Sequence, residues 1–151
     1  MNIAIINGPN LNLLGERDPE IYGSETLQDI ITMLRKEMPD VKFSNFQSNY
    51  EGEIIDRIQA IRKDGSINGI VINPGAYAHY SYAIADALRD IQGKKPVVEV
   101  HISNIHSREE FRRHSVTAAC VDAVIAGAGT RGYYLAALQV KYLVELDNLP
   151  F

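Results

Sequence analysis

The chain has 151 residues, 46% of them hydrophobic and 23% charged, and a net charge of −4. That composition suits one globular domain over residues 1–151 with a single sizeable core, and its mildly acidic balance excludes the electrostatic footprint of a nucleic-acid or anionic-lipid binder. One cysteine, Cys120, excludes an intrachain disulfide; among Ala118, Ala119 and Val121 it reads as an inert buried thiol.

The amino terminus, M-N-I-A-I-I-N-G-P, has no basic leader and too short an apolar run for a secretory signal. No stretch has the length of a membrane span, so the expected location is the cytoplasm. Ile3–Asn7 reads as a short apolar strand. A polar loop of Gly, Pro, Asp and Glu follows, G-E-R-D-P-E-I-Y-G from Gly15 to Gly23, in which Arg17 and Tyr22 are either decoration or a movable piece of an active site. Next, S-E-T-L-Q-D opens a helix with Thr26 and Asp29 at capping-box spacing. Leu27, Ile30, Ile31, Leu34 and Met38 form its apolar stripe, and Pro39 follows its end.

Val41–Phe46 is half polar and reads as an edge strand. The helix after it, E-G-E-I-I-D-R-I-Q-A-I, carries Ile54, Ile55, Ile58 and Ile61, with Gly65 as its stop. Gly69–Asn73 is a third strand, and Tyr80–Ile91 a helix that turns Ile84, Ala87, Leu88 and Ile91 inward. Pro96–Ile102 is a fourth strand, R-E-E-F-R-R a short helical piece, Ala123–Gly127 a fifth strand and Tyr133–Leu146 the last helix. Strands alternating with helices imply a doubly wound, flavodoxin-like α/β fold: a five-stranded parallel sheet in three α/β/α layers, both faces covered. The carboxyl ends of parallel strands share one edge, where open α/β sheets bind ligands.

All five predicted strands end in polar residues: Asn7–Asn10, Gln47–Asn49, Asn73–His79, His101–Asn104 and Gly127–Gly132. Asn and Gly also favour ordinary turns, so one such loop says little; five on one edge suggest a site. The fourth strand carries the sharpest pattern. Glu99, His101 and Ser103 stand two residues apart and share a face, and a carboxylate among valines needs a partner. Paired with His101, Glu99 would orient a general acid. Arg108 and Arg112, four apart on the short helical piece, would face an anionic ligand together. His106 and His114 read as surface residues. Gly127, Gly129 and Gly132 match a dinucleotide fingerprint, but too little chain follows for another parallel strand with its ribose ligand, so a tight turn and close packing explain them better. His79 and His101 lack metal-ligand spacing, and Lys94 and Lys95 lie poorly for an imine. The residues alone describe an α/β enzyme acting on a small anion. The alternative is a non-enzymatic flavin- or nucleotide-binding module of the same fold.

The segments I-N-G-P-N-L-N-L-L-G-E-R-D-P-E-I-Y-G, Q-S-N-Y-E-G, I-N-P-G-A-Y-A-H-Y-S, E-V-H-I-S-N and R-E-E-F-R resemble type II 3-dehydroquinate dehydratase, from Ile3 to about Leu138. Departures are Asp18, Tyr50 and Ala128. The resemblance implies dehydration of 3-dehydroquinate to 3-dehydroshikimate in the shikimate pathway, by anti-elimination through an enolate, with no metal, cofactor or imine. It implies Tyr22 as base, Arg17 as its activator, His101 as acid, Asn10 as enolate stabiliser and Glu99 as the support of His101. Asn73, His79, Asp86, Ile102, Ser103 and Arg112 resemble the substrate-binding positions, and Arg108 a loop-ordering residue. The resemblance also implies a homododecamer, a tetramer of trimers, in which Asp86 serves a neighbour's site. With the base on a glycine-flanked loop, that loop is expected to act as a lid.

Overall fold

The computed structural model describes residues 1–148. Five strands, β1 (Asn2–Asn7), β2 (Lys42–Gln47), β3 (Gly69–Asn73), β4 (Val97–His101) and β5 (Ala123–Ala126), form one sheet in the order β2-β1-β3-β4-β5. Every pairing is parallel, as the alternation of elements requires. This is the flavodoxin-like strand order, and it reverses direction beside β1 and β3.

Two apolar cores sandwich the sheet. On one face Ile3, Ile5, Val71, Val98 and Val100 meet α2 (Leu27–Glu37) and α5 (Arg131–Asp147). On the other, Ala4, Ile6, Ile70, Ile72 and Val97 meet α3 (Glu51–Lys63) and α4 (Tyr82–Ile91). Strict alternation along each strand sends successive residues to opposite cores. Each fully buried Ile or Leu contributes roughly 1.5–3 kcal/mol by leaving water. Burial of every residue in β3 and β4 explains their nearly unbroken apolar sequences.

Local chemistry sets the helix ends. Thr26 and Asp29 form the expected capping box at the start of α2, each side chain meeting the other's backbone N–H. The fourth helix begins at Tyr82, two residues later than its hydrophobic period suggests. The Ser81 hydroxyl caps it by accepting from Ile84 N at 3.0 Å, while Gly75–His79 forms a separate 3-10 helix. The inward stripe of α4 is Ile84, Ala85, Leu88 and Ile91; Ala87 is only partly buried.

Coverage of the sheet is uneven. No regular α-helix links β4 to β5; three 3-10 turns, at Ile105–Ser107, Glu110–Arg113 and Ala118–Cys120, do so instead. Both faces of the sheet are covered as expected, but the cover thins at β5, where Val124 is exposed. Arg108 precedes the second of these turns rather than sharing a helix with Arg112.

Candidate active site

A cleft opens at the carboxyl ends of β1, β3 and β4, beside the reversal in strand order. Only three of the five polar strand ends line it. The end of β2 braces it from behind: Gln47 Nε2 donates to the Gly8 carbonyl at 3.2 Å, and Asn49 Oδ1 accepts from Asn10 N at 3.0 Å. These bonds hold Asn10 in the left-handed region, φ 69°, with its side chain on the cleft. Gly127 and Gly129 instead border a shallow neighbouring groove.

Because β4 alternates, Glu99 and His101 leave the sheet on the α3/α4 side. Glu99 is completely buried, and both of its oxygens are partnered. Oε1 meets His101 Nε2 at 2.6 Å, and Oε2 accepts the Thr117 hydroxyl at 2.6 Å. With Nε2 turned to the carboxylate, Nδ1 is the ring nitrogen of His101 left for other chemistry. Ile102 and Ser103 continue along the wall of the cleft. His79 stacks near His101, ring centroids 6.2 Å apart, and its Nδ1 lies 2.8 Å from the carbonyl of His114. That carbonyl can only accept, so Nδ1 carries the hydrogen. Burial pushes the His79 imidazole below its ordinary value, favouring the neutral ring.

The Gly15–Gly23 loop closes over this wall. Both end glycines have left-handed φ, +89° and +79°, where a side chain would be strained. Between them a single helical turn, α1 (Pro19–Tyr22), brings Tyr22 onto the cleft. Two guanidinium carbons lie over the Tyr22 ring, Arg17 at 5.2 Å and Arg108 at 5.3 Å from its centroid. Arg108 also donates to Ser103 Oγ at 3.0 Å, joining the loop's aromatic ring to the β4 wall. Arg112 lines the opposite part of the cleft, anchored by Glu109 at 2.6 Å. That bond holds the Glu109 carboxyl below its usual range. Three arginines on one small cleft suit an anionic ligand.

Ten of the twelve candidate residues line this one cleft: Asn10, Arg17, Tyr22, Asn73, His79, His101, Ile102, Ser103, Arg108 and Arg112. Glu99 lies directly behind His101. Asp86 does not join them. It is exposed on α4 and pairs with Arg89 at 3.2 Å. Sequence reasoning passed over Thr117, which has no periodic signal in its irregular segment. It also passed over Tyr133, whose signal is legible: a tyrosine on the buried Ala136–Ala137–Val140 stripe of α5 needs a partner for its hydroxyl.

The glycine fingerprint has other uses. Gly127 N and Gly129 N donate to the carbonyls of His101 and Ile102, so neither amide is available to a phosphate. A Cβ on Gly132 would lie 3.1 Å from Val100 Cγ2, which accounts for that glycine by close helix–sheet packing. Among the described residues, no group of three or more His, Cys, Asp or Glu side chains could hold a metal ion, and no helix is long and apolar enough to cross a membrane.

The family model for class II dehydroquinase matches residues 1–141. A 3-dehydroquinate dehydratase from Thermotoga petrophila is 52% identical over 147 residues, covering 96% of this chain and 98% of that one. Another, from Clostridium botulinum strain Langeland, is 54% identical over 151 residues, with 98% and 97% coverage. The crystal structure of a type II dehydroquinase from Butyrivibrio crossotus superposes with a TM-score of 0.89 at 45% identity, over 93% of this chain and 97% of that one. With its strand order, its cleft at the switch point and these matches in agreement, the chain belongs to the class II dehydroquinase family, the hydro-lyases that dehydrate 3-dehydroquinate.

Proposed function

We propose that the cleft converts 3-dehydroquinate to 3-dehydroshikimate by anti-elimination through an enolate, with Tyr22 as base and His101 as acid. The observation that carries this reading is the pairing of two opposed devices on one small cavity. A phenol sits under two guanidiniums on a lid, and an imidazole sits on the sheet against a buried carboxylate.

The chemistry follows from what each device favours. The base works beside two cations, with the Arg17 and Arg108 guanidiniums over the Tyr22 ring. As phenolate, Tyr22 takes the proton from the carbon next to the substrate's ketone, and the electron pair moves to the ketone oxygen. Asn10 stabilises that enolate oxygen. When the enolate collapses, the neighbouring C–O bond breaks, His101 delivers a proton to the departing hydroxide, and water leaves. The product is a conjugated enone carboxylate. Glu99 accepts the Nε2 hydrogen and fixes the orientation of the ring, so the proton delivered is the one on Nδ1 of the imidazolium, whose charge the carboxylate balances. Arg112 and His79 hold the substrate, and lid closure keeps bulk water from the enolate.

The same reading assigns the protein to aromatic amino acid biosynthesis in the cytoplasm, as a homododecamer of four trimers. Asp86, exposed and outside its own subunit's cleft, is then a residue for a neighbour's site. The test is kinetic. Tyr22→Phe and His101→Ala should each keep the fold and lose kcat by at least about 100-fold, the usual contribution of a general acid or base. Near-wild-type kcat in either variant removes that residue's role.

A further inference from the structure

Beneath the cleft, on the α2/α5 side of the sheet, lies a buried polar chain that the mechanism above does not use. It contains Asn7 at the end of β1, Tyr133 in the first turn of α5 and Asn73 at the end of β3. Their exposures are 0%, 0% and 3%. Asn7 and Asn73 are directly paired across the β1–β3 register.

The direction of every hydrogen bond in this chain follows from one backbone group. Gly75 N can only donate, and it lies 3.1 Å from Asn73 Oδ1. Asn73 must therefore turn Nδ2 toward Tyr133, where it donates to the hydroxyl oxygen at 3.0 Å. The single hydroxyl hydrogen of Tyr133 then goes to Asn7 Oδ1 at 2.5 Å. Asn7 Nδ2 in turn faces Asn45 Oδ1 at 3.4 Å. Flipping the Asn73 amide would set N–H against N–H at Gly75 and leave two oxygens facing each other at Tyr133, whose hydrogen is committed to Asn7. In a buried site both losses are costly. Burial also pushes the Tyr133 phenol well above its ordinary value, so it remains a hydroxyl.

We propose that Tyr133 and Asn7 are positioning residues that, together with the Gly75 N–H at the other end of the amide, lock Asn73, so that the cleft is offered an N–H donor at that point and the substrate atom bound there is a hydrogen-bond acceptor. Asn73 has two amide hydrogens, and Tyr133 takes one. The second has no partner among the described residues, and Asn73 lines the cleft. The inference rests on the dehydratase reading only for its substrate.

The experiment compares Tyr133→Phe and Asn7→Ala with Asn73→Ala and with the double variant Tyr133→Phe/Asn73→Ala, measuring kcat and KM for 3-dehydroquinate. Loss of one neutral hydrogen bond made equally in ground and transition states raises KM about fivefold and leaves kcat within about twofold. Tyr133→Phe should do this, and should add nothing to the KM of Asn73→Ala. Should Tyr133→Phe fail to fold, Asn7→Ala carries the same expectation, since without its acceptor the Tyr133 hydroxyl is free to reverse and release the amide. Val140→Ala, on the same α5 stripe, controls for destabilisation alone: a lower melting temperature with an unchanged KM. An unchanged KM in the folded variants, or additive effects in the double variant, overturns the proposal. A wild-type enzyme with no turnover overturns the dehydratase reading instead.

Discussion

Thr117→Val is the substitution that best isolates the support of His101. Valine keeps the shape of threonine and removes only the hydroxyl, which donates to Glu99 Oε2 at 2.6 Å in a completely buried setting. Hydrogen bonds to charged groups contribute about 1.5–3 kcal/mol, and a buried carboxylate oxygen without a donor loses that amount with nothing in return. In a chain of this size each kcal/mol moves the melting temperature by about 2–4 °C, so the loss should be about 3–12 °C. Glu99 then turns on a single bond to His101. If about half the lost energy is felt at the imidazole in the transition state, kcat falls on the order of tenfold. Calorimetry and steady-state kinetics on Thr117→Val and Thr117→Ser make the assay, with serine restoring most of both quantities. A valine variant with wild-type melting temperature and kcat would refute the claim that Glu99 depends on Thr117.

Other predictions follow from single contacts. Gly8→Ala builds a Cβ 2.4 Å from the Pro74 carbonyl oxygen, a backbone atom that cannot step aside, where Gly8 N also bonds the Asn73 carbonyl at 2.7 Å. Overpacking there should cost at least about 1–3 kcal/mol and spread the β1 and β3 ends, lowering both melting temperature and kcat; a stable, fully active variant would show that the two strand ends need not meet so closely. His79 gives a pH prediction. Its folded value lies below 6.5, so the unfolded chain takes up the proton first. The stability tied to a neutral His79 is complete above that ordinary value and is lost as pH falls from it through the depressed one. Melting curves from about pH 7.5 to 5.5 should therefore fall more steeply for the wild type than for His79→Asn, and parallel curves would contradict the burial argument.

Much of the site was legible because parallel strands translate sequence spacing into geometry. Glu99 and His101, two apart on a strand of valines, could only share a face, and they meet at 2.6 Å. Thr26 and Asp29 announced the start of α2 because a capping box is a local bond. Where the sequence misled, the causes were both local and nonlocal. The period of α4 extends back to Tyr80, but Ser81 captures Ile84 N and starts the helix at Tyr82. Arg108 and Arg112 share the cleft without sharing a helix, because 3-10 turns replace the expected α-helical piece. Arg108 reaches Tyr22 across 86 positions of sequence, a contact no spacing rule encodes. Thr117 was invisible for the same reason: its partner lies on another element, and its own segment has no repeat. Five polar strand ends did lie on one edge, yet only those of β1, β3 and β4 enclose the cleft.

The most direct single measurement is a spectrophotometric assay of the wild-type protein with 3-dehydroquinate, following the conjugated enone carboxylate before and after borohydride treatment in the presence of substrate. Product formation that survives borohydride is the expected result, since the proposed proton transfer between Tyr22, the substrate and His101 leaves no imine to reduce. Loss of activity with substrate mass fixed to a lysine, or no product at all, would contradict the acid–base elimination placed in this cleft.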